Sequence, residues 1–154
     1  MTPRHAAALE LALAHVPVFP CRVGGKEPAG QMVHNGLNGR TIDIGTINAW
    51  WAVADWNLAI VPEDVGCYVV DIDPSHGGVV TWAQLPRELY VEQATPKLQV
   101  RTPSGGLHLY FGGSLPPSVG TDRRGLGPGV DIRGRGSYVL VPPSVIDGIE
   151  YTRT

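Results

Sequence analysis

The sequence predicts an α+β fold in which a few helices pack on a sheet of mixed or antiparallel strands. Its 154 residues fit one domain, and a hydrophobic content of 43% is enough to bury a single core. Short apolar runs of strand length alternate with turns rich in glycine and proline, of which the chain holds 20 and 14. We find no repeat and no domain boundary, so we expect residues 1–154 to form a single domain.

The first elements predicted are a helix and a short strand. Residues 5–15 carry Leu9 and Leu13 four positions apart among alanines, which is typical of an amphipathic helix of about three turns. Residues 16–22 follow as a strand, and a glycine-rich connection occupies residues 24–45.

A second helix and two apolar strands are predicted next. Thr46 is a good N-cap residue for a helix that would place Trp50 against a sheet. Residues 57–61 and 67–72 are strands separated by the turn-forming sequence PEDVG, and residues 79–85 favour a short helix.

The remaining elements are predicted to be strands around one long loop. Residues 98–103 and 107–113 alternate polar and apolar side chains on either side of a tight SGG turn, which predicts a hairpin. Residues 112–128 are expected to form a flexible loop with Arg123 and Arg124 near its middle. The sequences GVDIRG and SYVLVPPS then predict another pair of strands, joined by the glycine turn between them.

The net charge of −2 hides an uneven distribution along the chain. Residues 1–96 carry five Lys and Arg against ten Asp and Glu, whereas residues 97–154 carry seven against four. Because guanidinium groups bind phosphate well, the later part is a candidate phosphate-facing surface, with an ordinary solvated surface as the alternative. Its basic residues are Lys97, Arg101, Arg123, Arg124, Arg133, Arg135 and Arg153.

The cysteines and apolar runs restrict the compartment. Cys21 and Cys67 are the only cysteines in the sequence, too few for a disulfide scaffold or a four-cysteine zinc site. No run approaches the ~20 apolar residues that a membrane-spanning helix needs. We therefore expect a cytoplasmic protein with no membrane partner.

Asp71 and Asp73 form the first candidate metal site. The two residues are two positions apart on a predicted strand, so both carboxylates are expected on one face. Two like charges held this close repel each other, and a bound Mg²⁺ or Mn²⁺ would relieve the repulsion. The alternative is that one aspartate caps the following DPSHG turn while the other is solvated.

Asp131 could supply a third carboxylate. It lies in the predicted strand GVDIRG, and if that strand pairs beside the first, three acids surround one cavity. Two metal ions there could activate a hydroxyl and stabilise a triphosphate during in-line displacement. The alternative is an edge-strand aspartate paired with Arg133 or Arg135.

The sequence SGGLH is a candidate phosphate-binding segment. The turn Ser104-Gly105-Gly106 would expose backbone N–H groups that can donate to a phosphate. His108, just beyond the turn, could donate a further hydrogen bond to the same phosphate. Lys26, in another glycine-rich loop, could reach a triphosphate. The alternatives are a plain hairpin turn and a surface lysine.

Taken together, these segments resemble the bifunctional DNA primase/polymerase domain of the archaeo-eukaryotic primase superfamily. The matching pieces are GCYVVDIDP, TPSGGLHLYF and GVDIRGRGSYVLVPPS, with weaker likeness in GGKEP and NLAIVP. The resemblance covers roughly residues 10–145. It implies a primase–polymerase fold, with a small N-terminal α/β module beside a catalytic module like an RNA-recognition motif.

The resemblance also implies the activity and its residues. Asp71, Asp73 and Asp131 would be the metal-binding catalytic carboxylates, and His108, with Ser104 nearby, would contact the phosphates of the incoming nucleotide. Arg133 and Lys26 match the family pattern more loosely. The implied enzyme is a nucleotidyltransferase, a DNA primase or DNA-directed polymerase that uses dNTPs or NTPs on a DNA template and primer in replication or repair.

Two departures and two alternatives accompany this interpretation. The chain cannot build the cysteine-rich zinc stem of some relatives, and it ends at Thr154 where many continue toward a helicase. We therefore expect either a truncated chain or a compact stand-alone form, with a helicase domain or protein as a candidate partner. The alternatives are a nucleotide-sugar glycosyltransferase that uses the Asp-x-Asp pair, and a replication-associated nucleic-acid-binding module without catalysis.

Overall fold

The computed structural model describes residues 1–85, 95–113 and 126–154, and the predicted positions of Arg123 and Arg124 lie outside these ranges. The described chain is an α+β fold in which all paired strands run antiparallel. The α-helices are α1 Pro3–Leu13, α2 Ile44–Val53 and α3 Gly78–Gln84. The strands are β1 Val18–Cys21, β2 Asn57–Ile60, β3 Cys67–Ile72, β4 Leu98–Arg101, β5 Leu107–Gly112, β6 Val130–Arg133, β7 Val139–Leu140, β8 Val145–Ile146, β9 Ile149–Glu150 and β10 Thr152–Arg153.

A small N-terminal module is built on a three-stranded sheet with the order β1-β2-β7. Helices α1 and α2 supply apolar side chains to its core, which removes that surface from water. The indole N–H of Trp50 donates to the carbonyl of Met32 at 3.1 Å, so the only polar group of this ring is satisfied. The predicted burial of Trp50 is confirmed. The buried helix residues are Ala8, Ala12, Ile47, Trp50 and Trp51.

A five-stranded sheet with the order β10-β4-β5-β3-β6 forms the second module. Trp82 and Leu85, in and just after α3, pack on one face of this sheet. Successive residues of a strand point to opposite faces of a sheet. Every second strand residue therefore packs on the α3 side, and the residues that alternate with them lie on the other face. The buried residues on the α3 face are Tyr68, Val70, Ile72, Leu109, Phe111, Val130 and Ile132.

Two buried polar side chains join the C-terminal segment to β2. Asn57 Nδ2 donates to the carbonyls of Gly25 at 2.9 Å and Val145 at 2.8 Å, and Asn57 Oδ1 accepts from the Val145 N–H at 2.9 Å. Ser144 Oγ accepts from the Leu58 N–H at 2.8 Å and donates to the Leu58 carbonyl at 3.1 Å. These bonds hold the C-terminal segment beside the N-terminal module before it adds β10 to the large sheet.

The start of α2 differs from the prediction. Thr46 is not its N-cap; Asp43 is, and the helix begins at Ile44. The Asp43 carboxylate accepts both the backbone N–H and the hydroxyl of Thr46, each at 2.7 Å. A carboxylate is as good a cap as a hydroxyl, and here the Thr46 hydroxyl serves as its donor.

One predicted strand pair is wrong. The strands in GVDIRG and SYVLVPPS do not pair with each other, because β6 pairs with β3 and β7 pairs with β2 in the other sheet. Val139 and Leu140, the two residues of β7, are buried in the core of the N-terminal module. The chain therefore crosses between the sheets after β6, which brings the two modules together at this point.

The two cysteines belong to the core in which α1 and α2 also pack. Cys21 and Cys67 are buried and form no disulfide. Burial, aided by the charge of Glu27, raises the pKa of the Cys21 thiol to about 12, so this thiol stays protonated. Within the described ranges, none of the helices combines the length and the apolar character required to cross a bilayer.

Candidate active site

The candidate site is a row of three polar side chains that crosses the large sheet. Asp71 on β3 lies in register with His108 on β5 and with Asp131 on β6. Residues directly opposite each other on neighbouring strands point to the same face, with Cβ atoms roughly 5 Å apart. The pairing of the Asp71 and Asp131 strands, on which the predicted acidic cluster depended, is confirmed.

Asp71, at the centre of the row, is half-buried and has His108, Arg133 and Lys26 as neighbours. Burial opposes ionisation of its carboxyl group, but His108, Arg133 and Lys26 outweigh this and lower its pKa below the ordinary value. His108 Nε2 lies 3.6 Å from Asp71 Oδ1, so the two form a close polar contact rather than a hydrogen bond. Asp71 is therefore an anion at neutral pH.

His108 is fixed mainly by packing. It is buried, and its ring lies against that of Tyr151 with centroids 5.7 Å apart and planes tilted by 44°. Among the described residues, His108 Nδ1 has no hydrogen-bond partner. Packing thus holds the ring with its Nε2 beside Asp71.

Arg133 contacts both carboxylates of the row. It lies two positions after Asp131 on β6, so the two side chains share a face. Its Nη2 is 3.4 Å from Asp131 Oδ2 and 3.9 Å from Asp71 Oδ2. One guanidinium group therefore offsets part of the charge of two carboxylates.

Asp73 lies one residue beyond β3, where it caps a turn. Its Oδ1 accepts the backbone N–H of Ser75 at 2.9 Å and the Ser75 hydroxyl at 2.6 Å, and its Oδ2 is 2.8 Å from His76 Nδ1. The bonds from Ser75, opposed by partial burial and supported by His76, lower the pKa of Asp73. β3 ends at Ile72, but the backbone of Asp73 is still extended, and its N–H donates to the Gly129 carbonyl at 2.7 Å. Asp73 lines a cleft of about 450 Å³ together with Asp131.

The SGG turn packs against the end of β3. Gly105 adopts φ +83°, in the left-handed region that favours glycine. A Cβ on Gly106 would lie 2.2 Å from the backbone oxygen of Ile72, so only glycine permits this approach. The Gly105 N–H donates to the Thr102 carbonyl at 2.9 Å, so this N–H is already hydrogen-bonded within the turn.

Two adjoining clefts lie beside the row, at the junction of the two modules. Lys26 and Tyr151 line both, and Asp71 and His108 line only the larger, which has a volume of about 330 Å³. Ser104 lines the smaller cleft, of about 140 Å³. The residues around the larger cleft are Lys26, Leu37, Asp71, His108, Arg133, Gly136, Ser137, Tyr138, Val139, Leu140 and Tyr151.

Tyr138 and Tyr151 are candidate functional residues that the sequence analysis missed. The Tyr138 hydroxyl donates to the carbonyl of Lys26 at 3.1 Å, which fixes the loop that carries this lysine. Burial, followed by the charge of Asp71, raises the pKa of Tyr151 to about 12, so its phenol is neutral. Tyr138 lies in the segment GVDIRGRGSYVLVPPS, but only an acid and an arginine of that segment were candidate site residues, and Tyr151 lies in none of the segments that carried the prediction.

Asp71 and Asp131 suit a hard divalent cation. Mg²⁺ is commonly held by one or two carboxylates, with substrate phosphates and water as its other ligands. In the parts of the chain that the structure describes, no three His, Cys, Asp or Glu side chains gather as ligands of one ion. Two carboxylates that face each other would leave positions on such a cation for water or substrate phosphates.

One comparison with known proteins gives a match over almost the whole chain. The family model described as bifunctional DNA primase/polymerase, N-terminal, matches residues 8–154. This range includes all three members of the row and both loops that line the clefts. A search of the curated proteins gives no match.

Proposed function

Because the chain belongs to the bifunctional DNA primase/polymerase family, we propose that it catalyses template-dependent nucleotidyl transfer, as a DNA primase or DNA polymerase in replication or repair. The observation that carries the proposal is the row of His108, Asp71 and Asp131 across three neighbouring strands. The substrates are a dNTP or NTP and a DNA template with its primer. The cleft of about 330 Å³ beside the row is within the size range of small-ligand sites.

In this proposal the carboxylates bind Mg²⁺ or Mn²⁺ in a two-metal mechanism. Such cations promote attack by a primer hydroxyl and neutralise charge that develops on the triphosphate. Asp71 is suited to cation binding because its lowered pKa keeps it ionised, and Asp131 faces it across the strand pair. Asp73 is the third candidate ligand; its Oδ1 accepts two bonds from Ser75, whereas its Oδ2 has one contact, to His76, and keeps a lone pair for a cation.

The phosphates of the incoming nucleotide would be held from the other side of Asp71. His108 presents Nε2 beside Asp71, and Lys26 lines both adjoining clefts. Ser104 lines the smaller cleft, where its hydroxyl can donate to a phosphate or a sugar oxygen. In this arrangement Gly105 and Gly106 serve mainly to let the turn close against β3, since the Gly105 N–H is already engaged.

We further infer the placement of the DNA and the finer fold. The exposed basic residues of the C-terminal part would face the phosphates of the template and primer. The antiparallel large sheet with α3 on one face supports a catalytic module like an RNA-recognition motif, beside the N-terminal α/β module. A helicase domain or protein remains a candidate partner. Within residues 97–154, the described basic residues that are exposed and assigned to this surface are Lys97, Arg135 and Arg153; Arg101 is exposed as well but lies on the α3 face, away from the row.

The proposed function predicts extension of a primer that depends on divalent metal. The purified domain is incubated with a labelled primer–template and either dNTPs or NTPs, with Mg²⁺ or with Mn²⁺. We expect extension with at least one metal and its loss in excess EDTA. The carboxylates and the triphosphate are both anionic, so a cation must lie between them for the reaction to proceed. Extension of equal rate in EDTA, or no extension with any combination of metal and nucleotide, would contradict the proposal.

A further inference from the structure

We propose that Arg133 is an internal counter-ion, which balances Asp71 and Asp131 when no divalent cation is present and leaves them when a cation enters. The inference rests on the proposed function, because it takes these two carboxylates to be the cation ligands. In this inference Arg133 first competes with the cation for the two carboxylates and then, once displaced, binds the phosphates of the substrate.

The geometry places the guanidinium where the two carboxylates converge. Arg133 Nη2 lies 3.4 Å from Asp131 Oδ2 and 3.9 Å from Asp71 Oδ2. The Asp71 and Asp131 side chains are 27% and 26% exposed, so their charges are only partly screened by water. Each carboxylate would repel the other if the guanidinium were absent.

The charges favour an exchange rather than a permanent ion pair. A guanidinium carries one positive charge and a divalent cation carries two, so the cation offsets more of the charge of the two carboxylates than Arg133 does. Neither contact from Arg133 is short, and its side chain is 43% exposed. An ion pair of this kind is weak and can open at small cost.

The displaced side chain has a place to go. Arg133 lines the larger cleft together with Lys26 and His108, the two other groups assigned to phosphate binding. A guanidinium released from the carboxylates can therefore bind a phosphate oxygen of the nucleotide in the same cleft. Entry of the cation would thus make a phosphate-binding group available.

The test measures Mn²⁺ binding in the absence of nucleotide, by the electron paramagnetic resonance signal of free Mn²⁺. We expect Arg133→Gln to bind Mn²⁺ about three- to tenfold more tightly than the parent protein, because the competing cation is gone. In EDTA we expect a lower Tm for Arg133→Gln, with a larger rise on addition of Mn²⁺ than in the parent protein.

Arg101→Gln is the matched control, and Asp71→Asn separates the two proposals. Arg101 is exposed, and its register partner is Leu107, so its side chain lies on the face of the sheet opposite to Asp71 and Asp131. Arg101→Gln therefore removes the same charge as Arg133→Gln but no contact to the two carboxylates. Unchanged or weaker Mn²⁺ binding by Arg133→Gln would overturn the counter-ion role.

If Asp71→Asn also binds Mn²⁺ as tightly as the parent protein, the proposed metal site itself is wrong. Should Arg133→Gln not fold, Arg133→Met is used, which also removes the charge; tighter binding by it than by the parent protein supports the role, and unchanged binding refutes it.

Discussion

Replacement of Asp71 by Asn is expected to reduce primer extension by about 10³-fold. Asn has nearly the same shape as Asp, so the change removes the charge while the backbone bonds of β3 to its two neighbours remain. The effect is large because Asp71 lies between His108 and Asp131 and faces both the proposed cation and the nucleotide. The rate is measured by single-turnover extension of a labelled primer with saturating nucleotide and metal.

The matched control for this prediction is Asp43→Asn. Asp43 is an exposed N-cap of α2, and Asn caps helices as well as Asp does, so this variant loses one charge without loss of the cap. We expect it to extend primers within about twofold of the parent protein, as is usual for surface substitutions. Extension by Asp71→Asn at the rate of Asp43→Asn would show that Asp71 has no catalytic role.

Replacement of His108 by Ala is expected to raise the KM for the incoming nucleotide by about 10- to 100-fold. The reason is loss of a donor to a charged phosphate group from the edge of the ring beside Asp71. The affinity for the primer–template should change by no more than about twofold, because the phosphates of DNA are bound by many exposed cations rather than by one buried histidine. Steady-state extension gives the KM, and fluorescence anisotropy with labelled DNA gives the affinity.

His108 is buried against Tyr151, so its truncation also leaves a cavity. Thermal denaturation of the variant therefore accompanies the kinetics, and His108→Gln, which restores a polar donor and much of the volume, serves as the conservative variant. Partial recovery of the KM by His108→Gln supports a phosphate contact. Equal loss of nucleotide use and DNA binding in a folded His108→Ala would indicate a structural role only.

Much of the sheet could be predicted because its strands are short apolar runs between strong turn signals. The runs around Val69 and Val70, and around Leu109, correspond to buried strands β3 and β5. The pairing of Asp71 with Asp131 followed from the assumption that two acid-bearing strands are neighbours, and the register confirms it. The local sequence distinguishes the two faces of each strand, whereas the pairing of the two strands was a condition of the interpretation that no local pattern supplies.

The cleft that Asp73 lines and the sheet that β7 joins depend on tertiary packing rather than on local sequence. Asp73 was expected to share a face with Asp71, with a turn cap as the alternative for one of the two acids, and two hydrogen bonds from Ser75 make Asp73 such a cap. β7 joins the N-terminal sheet because Val139 and Leu140 are needed in its core, which no local pattern indicates. Long-range packing therefore decides which acids share a cleft.

Tyr151 shows the same limit at the site itself. It lies 5.7 Å, ring to ring, from His108, although the two are far apart in sequence. Its position depends on the hydrogen bonds that Asn57 and Ser144 make between β2 and the C-terminal segment. Such buried polar contacts are specified by the assembled fold, so a sequence pattern gives no sign of them.

The most direct test of the account is a crystal structure of the protein with Mn²⁺ and a non-hydrolysable nucleoside triphosphate. The anomalous scattering of manganese locates the ion without reference to the model of the protein. We predict an anomalous peak within coordination distance of the carboxylates of both Asp71 and Asp131, with the triphosphate in hydrogen-bond contact with His108 Nε2. Manganese bound away from these two carboxylates, with the triphosphate elsewhere, would contradict the assignment of this row as the nucleotidyl-transfer centre.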